Sequence, residues 1–378
     1  MGKQIIKIAI LSESQFSEIE DEWSSLRALC KADPLFMSWR WQFTWWHHFA
    51  KRNDLRLYIM TANTGAGKLV GIAPFVIRIF RLRGIRTRRL EPIGGLWQGQ
   101  ATARAEYLEP LVIPKWRDAA CDAFAHYLTT KTDVDEIAMP DCLKSSKSAN
   151  SLFATLSDNW YVREIFKPNE FETSHITLPE VFTVYTSGLG QSTRRSLYTK
   201  RRFLESLGEV AYERAGESDI VEFLAQLNEF HSGRWGRPAF EGPQLNFHQD
   251  ICRQYQRSGN LNLTRLSLSG MPRSVSYNIR TENRVYNLQL GFDESFHRSK
   301  LSLGLLHLGY DIENAIQAGI AEFDLLAGFG KKTDYKKKMA RESKRLICLH
   351  AVRVGWRSRI YRVFSRSSPE RLIRQIGR

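Results

Sequence analysis

Residues 285–339 place a strand-like run, a link and an amphipathic helix in an order that can hold a pyrophosphate. Residues 285–292 (Val-Tyr-Asn-Leu-Gln-Leu-Gly-Phe) read as a strand, and Leu305, Leu308, Ile312 and Ile316 recur three and four apart, as one face of a helix over 303–317 does. Ser302, Leu303 and Gly304 open that helix, and Arg298 and Lys300 stand just before it. A helix start has backbone N–H groups with no intrahelical acceptor and the positive end of the helix dipole. With two cations beside it, such a start suits a phosphate anion. Arg298, Lys300, Ser302, Leu303 and Gly304 are therefore the candidate anion-binding residues. The competing reading is an ordinary helix start that binds nothing.

Around this segment lie side chains able to move protons or hold an acceptor. His231 has an intrinsic pKa suited to a base, although a histidine at a helix end also serves as a cap or a surface group. Asp324 sits in Phe323-Asp-Leu-Leu326, and a carboxylate among apolar neighbours must find a partner or shift its pKa upward. It reads either as a base or as the ion-pair partner of Lys336 or Arg234. Arg234 offers a planar fork for an anion and Trp235 a stacking platform for a sugar. The plainer alternative makes Trp235 a core residue and Arg234 its salt-bridged neighbour.

The elements that must position these groups follow from periodicity and punctuation. Helices are expected over 16–30, 39–49 and 117–129, and strands over 55–61, 69–79, 88–93, 105–113, 136–138 and 161–166. Pro74 inside the second of these strands predicts an edge position or a bulge. Residues 141–150, rich in Lys and Ser, read as a loop or an exposed helix start. The second half shows a basic helix over 191–207 with Ser192 as N-cap, helices over 219–231 and 245–257, and strands over 210–214, 261–268, 274–281 and 285–292. The helix 303–317, a strand over 322–326 and a short helix at Tyr335 complete it. A weak echo links 67–78 with 270–280, each running from a glycine turn into a strand that ends Ile-Arg. The expected class is α/β with mixed sheets (α+β type), built as two copies of one unit.

Those elements resemble a known family. His231-Ser-Gly-Arg-Trp235, Ser302-Leu-Gly304, the run from Gly319 to Gly328 containing Asp324, and Tyr335-Lys336 are similar, in order, to the GNAT-like acyltransferases first associated with cellulose biosynthesis (CelD-like). That family is related to the FemAB aminoacyltransferases. Trp23, Phe36, Trp39, Trp45 and Gly71-Ile-Ala-Pro74 fit its opening, so the resemblance spans roughly residues 10–350. Two departures stand out: residues 329–334 lengthen the link before Tyr335, and Ser-Leu-Gly replaces a small-Pro-Gly helix start. The resemblance implies tandem GNAT-like domains, 1–177 and 178–352; the residues beyond it, 353–378, read from their own pattern as a basic amphipathic helix. It implies acyl-CoA, acetyl-CoA in the simplest case, as co-substrate and a small amine as acceptor, in surface-polysaccharide synthesis. The amine must lose a proton, the oxyanion needs a donor, and the leaving thiolate must be protonated. Tyr335 would be the general acid, or merely an exposed tyrosine in a basic helix. Asp324 and His231 are the candidate bases, and Arg234, Trp235 and Lys336 would hold the acceptor.

Composition bounds the alternatives. The chain has 378 residues, 43% of them hydrophobic and 25% charged, which is ordinary for a folded protein. Five scattered cysteines without a C-x-x-C spacing argue against a disulfide scaffold or structural zinc, and no metal is expected. No apolar run is long enough to span a bilayer, and no h-region opens the chain, so a cytoplasmic location is expected. No P-loop, H-E-x-x-H or G-x-S-x-G pattern occurs. The net charge of +15 divides into +3 for residues 1–177 and +12 for 178–378, of which 353–378 holds +7. In that tail Trp356, Ile360, Val363 and Phe364 share a helical face among arginines, as an interfacial helix on anionic lipid or a docked terminal helix would. Two other functions remain. One is transfer from an aminoacyl-tRNA, as in the FemAB relatives; the other is a non-enzymatic assembly protein at a membrane surface.

Overall fold

The computed structural model describes the chain apart from residues 1–4, 83–84, 97–101, 167–170, 297–300, 329–334, 341, 357–358 and 360–378. It divides into two compact units: Met1–Phe171 with Arg345–Arg378, and Glu172–Lys344. The fold is mixed α/β in both.

The first unit runs β1 (Ile6–Ile10), α1 (Glu13–Glu18), α2 (Glu20–Cys30), α3 (Trp39–Phe49), β2 (Arg56–Thr64), β3 (Leu69–Leu82), β4 (Ile85–Pro92), β5 (Leu111–Val112), α4 (Arg117–Thr130), β6 (Glu136–Leu143), α5 (Lys147–Leu156) and β7 (Trp160–Ile165). Ser12 and Gln15 form a capping box at α1, and Ser38 and Ser146 cap α3 and α5, each hydroxyl accepting a helix N–H that has no other partner. Trp23 and Trp45 of the opening are core, with their indole N–H groups matched to carbonyls: Trp23 to Met37 at 2.9 Å, Trp45 to Ala103 at 2.8 Å.

The second unit runs β8 (Glu172–Thr177), α6 (Phe182–Ser187), α7 (Gln191–Arg194), a π turn (Arg195–Thr199), α8 (Arg201–Glu205), β9 (Val210–Arg214), α9 (Ile220–Trp235), α10 (Pro243–Arg257), β10 (Leu261–Leu268), β11 (Met271–Thr281), β12 (Arg284–Phe292), α11 (Leu303–Gln317), β13 (Glu322–Asp324) and α12 (Tyr335–Met339). A last strand, β14 (Glu342–Arg353), carries the chain back into the first unit.

Each unit has the same strand plan. In the first, β1, β2, β3 and β4 are successively antiparallel, β4 lies parallel to β6, and β14 pairs antiparallel with both β6 and β7. In the second, β9, β10, β11 and β12 are antiparallel in turn, β12 is parallel to β13, and β13 is antiparallel to β8. The parallel step needs a helical crossover, supplied by α4 in one unit and α11 in the other. The sequence echo falls on corresponding strands, β3 and β11.

Four expectations change. Pro74 lies within an interior strand, yet its ring nitrogen faces no ladder partner: on that side β5 pairs only with Gly71 and Ile72, and the pairing with β4 begins at Phe75. Residues 105–113 are mostly buried loop, with only Leu111–Val112 in a strand, and Tyr107 takes a positive φ of 59°. The first helical turn after residue 190 is entered through Gly190 rather than capped by Ser192. The division is also displaced from 177/178. β8, assigned by sequence to the first domain, pairs with β13, whereas β14 fills the first sheet. Strand partnerships of such long range leave no local signature. Of the expected tail helix, only fragments at Trp356 and Arg359 fall within the described residues.

Candidate active site

The site is built where β12 outruns its neighbour. β12 and β13 pair at only three positions, Arg284 with Glu322, Val285 with Phe323 and Tyr286 with Asp324. β12 then continues to Phe292, and from Asn287 on that edge has no ladder partner among the described residues. A bulge at Leu288, where Tyr277 pairs with Gln289 but Asn278 with Asn287, bends the strand at this point. A free strand edge offers backbone N–H and C=O groups to an extended ligand carrying amides.

The start of α11 lies against the end of that edge. Leu303, Gly304 and Leu305 open the helix, and Ser302, its N-cap residue, makes no side-chain cap bond. Leu306 N–H is the first to turn back, to Ser302 O at 2.9 Å. The three preceding N–H groups are the free donors of the helix start. Gly304 is required by packing: a Cβ there would stand 3.0 Å from the Phe292 ring and 3.2 Å from Leu290 Cδ2. Arg298 and Lys300 lie outside the described residues.

α9 crosses the same end of β12. At Gly291 a Cβ would meet Leu227 O at 3.0 Å and Phe230 Cβ at 3.1 Å, so the helix rests directly on the strand. Its last turn carries His231, Arg234 and Trp235. His231 Nδ1 contacts Arg237 O at 2.7 Å, a bond in which Nδ1 carries a proton, so that Nε2 is the nitrogen turned away from this partner. Its ring stacks on Trp235 at 6.1 Å, and Trp235, far from being core, is 44% exposed. The Arg234 guanidinium lies 4.6 Å from the Phe292 ring centroid and its Nε 3.4 Å from a Glu294 carboxylate oxygen.

Tyr335 closes the group. With Leu290 of β12 and Leu305 of α11, it packs against the core cluster that holds Phe323 and Leu325. Burial raises its pKa and the nearby Arg234 charge acts in the opposite sense, with a net upward shift. The phenol therefore keeps its proton near neutrality, as a proton donor must. Lys336 Nζ donates to Leu325 O at 2.7 Å and Leu326 O at 3.0 Å, pinning α12 to the end of β13. Asp324 is wholly enclosed; it accepts from Leu326 N–H at 2.8 Å, shaping a turn in which Leu326 holds a positive φ of 56°. Beside it, burial pushes the Glu322 pKa up, but the His175 hydrogen bond and the Arg284 and Lys344 charges outweigh that and hold it at about 2.

One constellation escaped the sequence. Between α11 and the sheet, His307 and Asp311 are buried with Thr264, Ser274, Ser276 and Asn278. Asp311 Oδ1 accepts from Tyr212 OH at 2.8 Å and Thr264 Oγ1 at 3.0 Å, and Asp311 Oδ2 accepts from Asn278 Nδ2 at 3.1 Å. Asn287 Nδ2 donates to Asn278 Oδ1 at 2.8 Å. His307 Nδ1 meets Ser274 Oγ at 2.8 Å, and that hydroxyl donates to Gly291 O at 2.9 Å. Burial lowers the His307 pKa, so the ring is neutral. The network thus grips β12 at Asn287 and Gly291, both ends of its free edge. Polar residues four apart on an apolar helix face, as His307 and Asp311 are, were the available signal.

Residues 191–337 match the model of the acetyltransferase (GNAT) domain family. The second unit carries a GNAT acetyltransferase domain. Its strands β9 to β13, the crossover helix α11 and the parting of β12 from β13 all fall within the matched residues. Among solved structures, FemX is similar over 94% of this chain and 99% of its own, at 11% identity and a TM-score of 0.61. A tandem GNAT protein from the clavulanic acid biosynthesis pathway aligns over 91% of this chain and 98% of its own (12% identity, TM-score 0.50). So does the C-terminal domain of a putative lysylphosphatidylglycerol synthetase from Agrobacterium fabrum, over 91% and 93% (12%, 0.51). At such identities the likeness is one of fold, and it extends the GNAT-like plan to both units. No curated protein sequence matches the chain significantly.

Proposed function

We propose that the second unit transfers an acyl group from acyl-CoA, acetyl-CoA in the simplest case, to an amine. The observation that carries this reading is the parting of β12 from β13 after three pairs, with the bare start of α11 at one end and Tyr335 alongside. The amide-bearing arm of the donor fits the free edge of β12, and its pyrophosphate fits the N–H groups of Leu303, Gly304 and Leu305. Tyr335 is assigned the proton that the leaving thiolate needs, and His231, through Nε2, the proton that the amine must lose. Asp324 and Lys336 are assigned to holding the turn between them in place. Trp235 and Arg234 face the acceptor side, which suits an amino sugar or an anionic, lipid-linked amine; surface-polysaccharide synthesis is the setting that the CelD-like resemblance implies.

The test is calorimetric titration of the folded protein with acetyl-CoA, longer acyl-CoA species and aminoacyl-tRNA. Acyl-CoA binding with modest salt dependence is expected. Binding of tRNA alone, falling steeply with salt, would shift the assignment to the aminoacyl donor. That second reading draws on the similarity to FemX and on the basic run Arg194, Arg195, Lys200, Arg201, Arg202.

A further inference from the structure

Of the twelve large hydrophobic side chains exposed among the described residues, five fall within a short stretch: Val181, Val184, Tyr198, Phe203 and Leu207. They lie on α6 and its N-cap residue, and along the run from the π turn through α8 to the turn that follows it. This run is firmly seated. Leu197 and Leu204 are buried on its inner side, and at Gly309 of α11 a Cβ would stand 2.2 Å from Leu197 O, so the backbones touch. Arg201, 8% exposed, pairs with Glu313 and lies 3.8 Å from the Tyr310 ring centroid. The apolar groups outside are therefore a fixed feature of a docked segment, not a fraying end. Phe182 meets Tyr198 edge-on at 5.4 Å and joins the α6 residues to the rest.

The exposed side chains of this stretch mix apolar groups with cations. Arg195 and Arg202 are exposed on the turns that carry Tyr198 and Phe203, and Arg194 and Lys200 are half-buried beside them. Glu180, Glu205 and Glu209 are the exposed acids of the same stretch. Nucleic acid would use the arginines and Tyr198 but gain nothing from Val181, Val184 and Leu207. A second copy would bring the arginines of one face against those of the other. An anionic bilayer uses both kinds of side chain, guanidinium groups at the phosphates and apolar tips between the headgroups. We propose that this face, from Val181 to Leu207, docks the protein on an anionic lipid bilayer. The chain's net charge of +15 strengthens the approach.

The experiment is flotation of the full chain with vesicles of phosphatidylcholine alone and of phosphatidylcholine mixed with phosphatidylglycerol. Binding is expected only with phosphatidylglycerol. It should weaken about tenfold or more in the pair Arg195→Glu with Arg202→Glu, and in the pair Tyr198→Ser with Phe203→Ser. Thermal melts of both pairs, and acetyl-CoA titration, show whether the fold is kept. Charge reversal in the tail, Arg357→Glu with Arg359→Glu, should leave a binding that still depends on the α6–α8 face. Several outcomes would overturn the proposal: no flotation of the unaltered protein, equal flotation of both altered pairs, or binding that vanishes with the tail reversal alone. Two more would replace the bilayer by another partner. They are tRNA binding that needs the same arginines while vesicles are ignored, and self-association, without lipid, that the Tyr198 and Phe203 changes abolish.

Discussion

Both units run antiparallel strands and then cross to a parallel one, but the crossing begins differently. In the second, ten residues lead from β12 to α11, and the edge of β12 beyond Tyr286 is left without a ladder partner among the described residues. In the first, twenty-four residues separate β4 from α4. β4 and β6 likewise pair at only two positions, Arg89 with Glu136 and Leu90 with Ile137, so the strands part there too. The long link then turns back into the gap. Ala105 N–H donates to Gly94 O at 3.2 Å on one side, and Leu108 N–H to Asp141 O at 3.1 Å on the other. Arg104 grips the Asp141 carboxylate, Nε to Oδ2 at 3.1 Å. The first unit thus fills with its own backbone the place where the second offers an edge. Strand plan alone therefore does not make a donor site; what matters is which chain occupies the parting.

That contrast can be broken in several places. The largest effect is expected from Arg104→Ala, which leaves the enclosed Asp141 carboxylate without its strongest partner. It should cost about 3 kcal/mol in urea unfolding and leave acetyl-CoA titration unchanged. Lost acetyl-CoA binding with a folded protein would move the donor to the first unit. Next comes Tyr335→Phe, for which turnover, followed by release of free thiol, should fall about 10²-fold with donor affinity retained. Unaltered turnover would remove the phenol from the chemistry. Smaller still, Gly304→Val should push Phe292 aside and weaken donor binding about tenfold, since β-carbon contacts this close displace their neighbours. Its counterpart Gly94→Ala meets Ala105 Cβ at 2.5 Å with a φ of 87°, and should lower stability by about 1–2 kcal/mol without touching the donor. Equal effects of the two on donor affinity would erase the distinction.

The last contrast is a matter of pH. A buried ionic chain crosses the first sheet from Arg78 through Glu91, Arg89, Glu136 and His350 to Arg163. Burial is the main cause that lowers the His350 pKa to about 4. A depressed histidine keeps its full contribution above its unfolded value near 6.5, and the contribution is lost as pH falls from there toward about 4. Thermal melts across that window should show a falling midpoint, relieved in part by His350→Gln. The lowered Glu322 pKa places the corresponding acid loss of the second unit between about 4.5 and about 2. A second unit that melts first at pH 5 would contradict this order.

How much of this was legible depended on whether the cause was local. β12, α11 and β13 follow from periodicity and small-residue starts, because their apolar faces repeat at two or at three and four residues. The helix start at Ser302 and Gly304 is legible in this way, whereas the grouping of Asp324, Tyr335 and Lys336 with it comes from the family resemblance. The plug at 104–108 was not: Ala105 and Leu108 are buried like strand residues, but by filling a gap rather than by pairing in a sheet. β14 was missed although Leu346 to Val352 is a nearly continuous apolar run, the mark of a central strand covered on both faces. His307 and Asp311 left only the trace of two polar residues four apart on an apolar face; their partners on β9, β10 and β11 are brought to them by folding alone.

The return of β14 has a consequence for how the molecule comes into being. Leu346, Ile347, Leu349 and Ala351 belong to the core or central ladder of the first unit, between β6 and β7, yet the ribosome makes them only after residue 344. The second unit is one uninterrupted stretch, Glu172–Lys344, and has every strand of its own sheet as it emerges. The half of the chain synthesised first is therefore the half completed last, waiting with an unzipped sheet until its missing strand arrives.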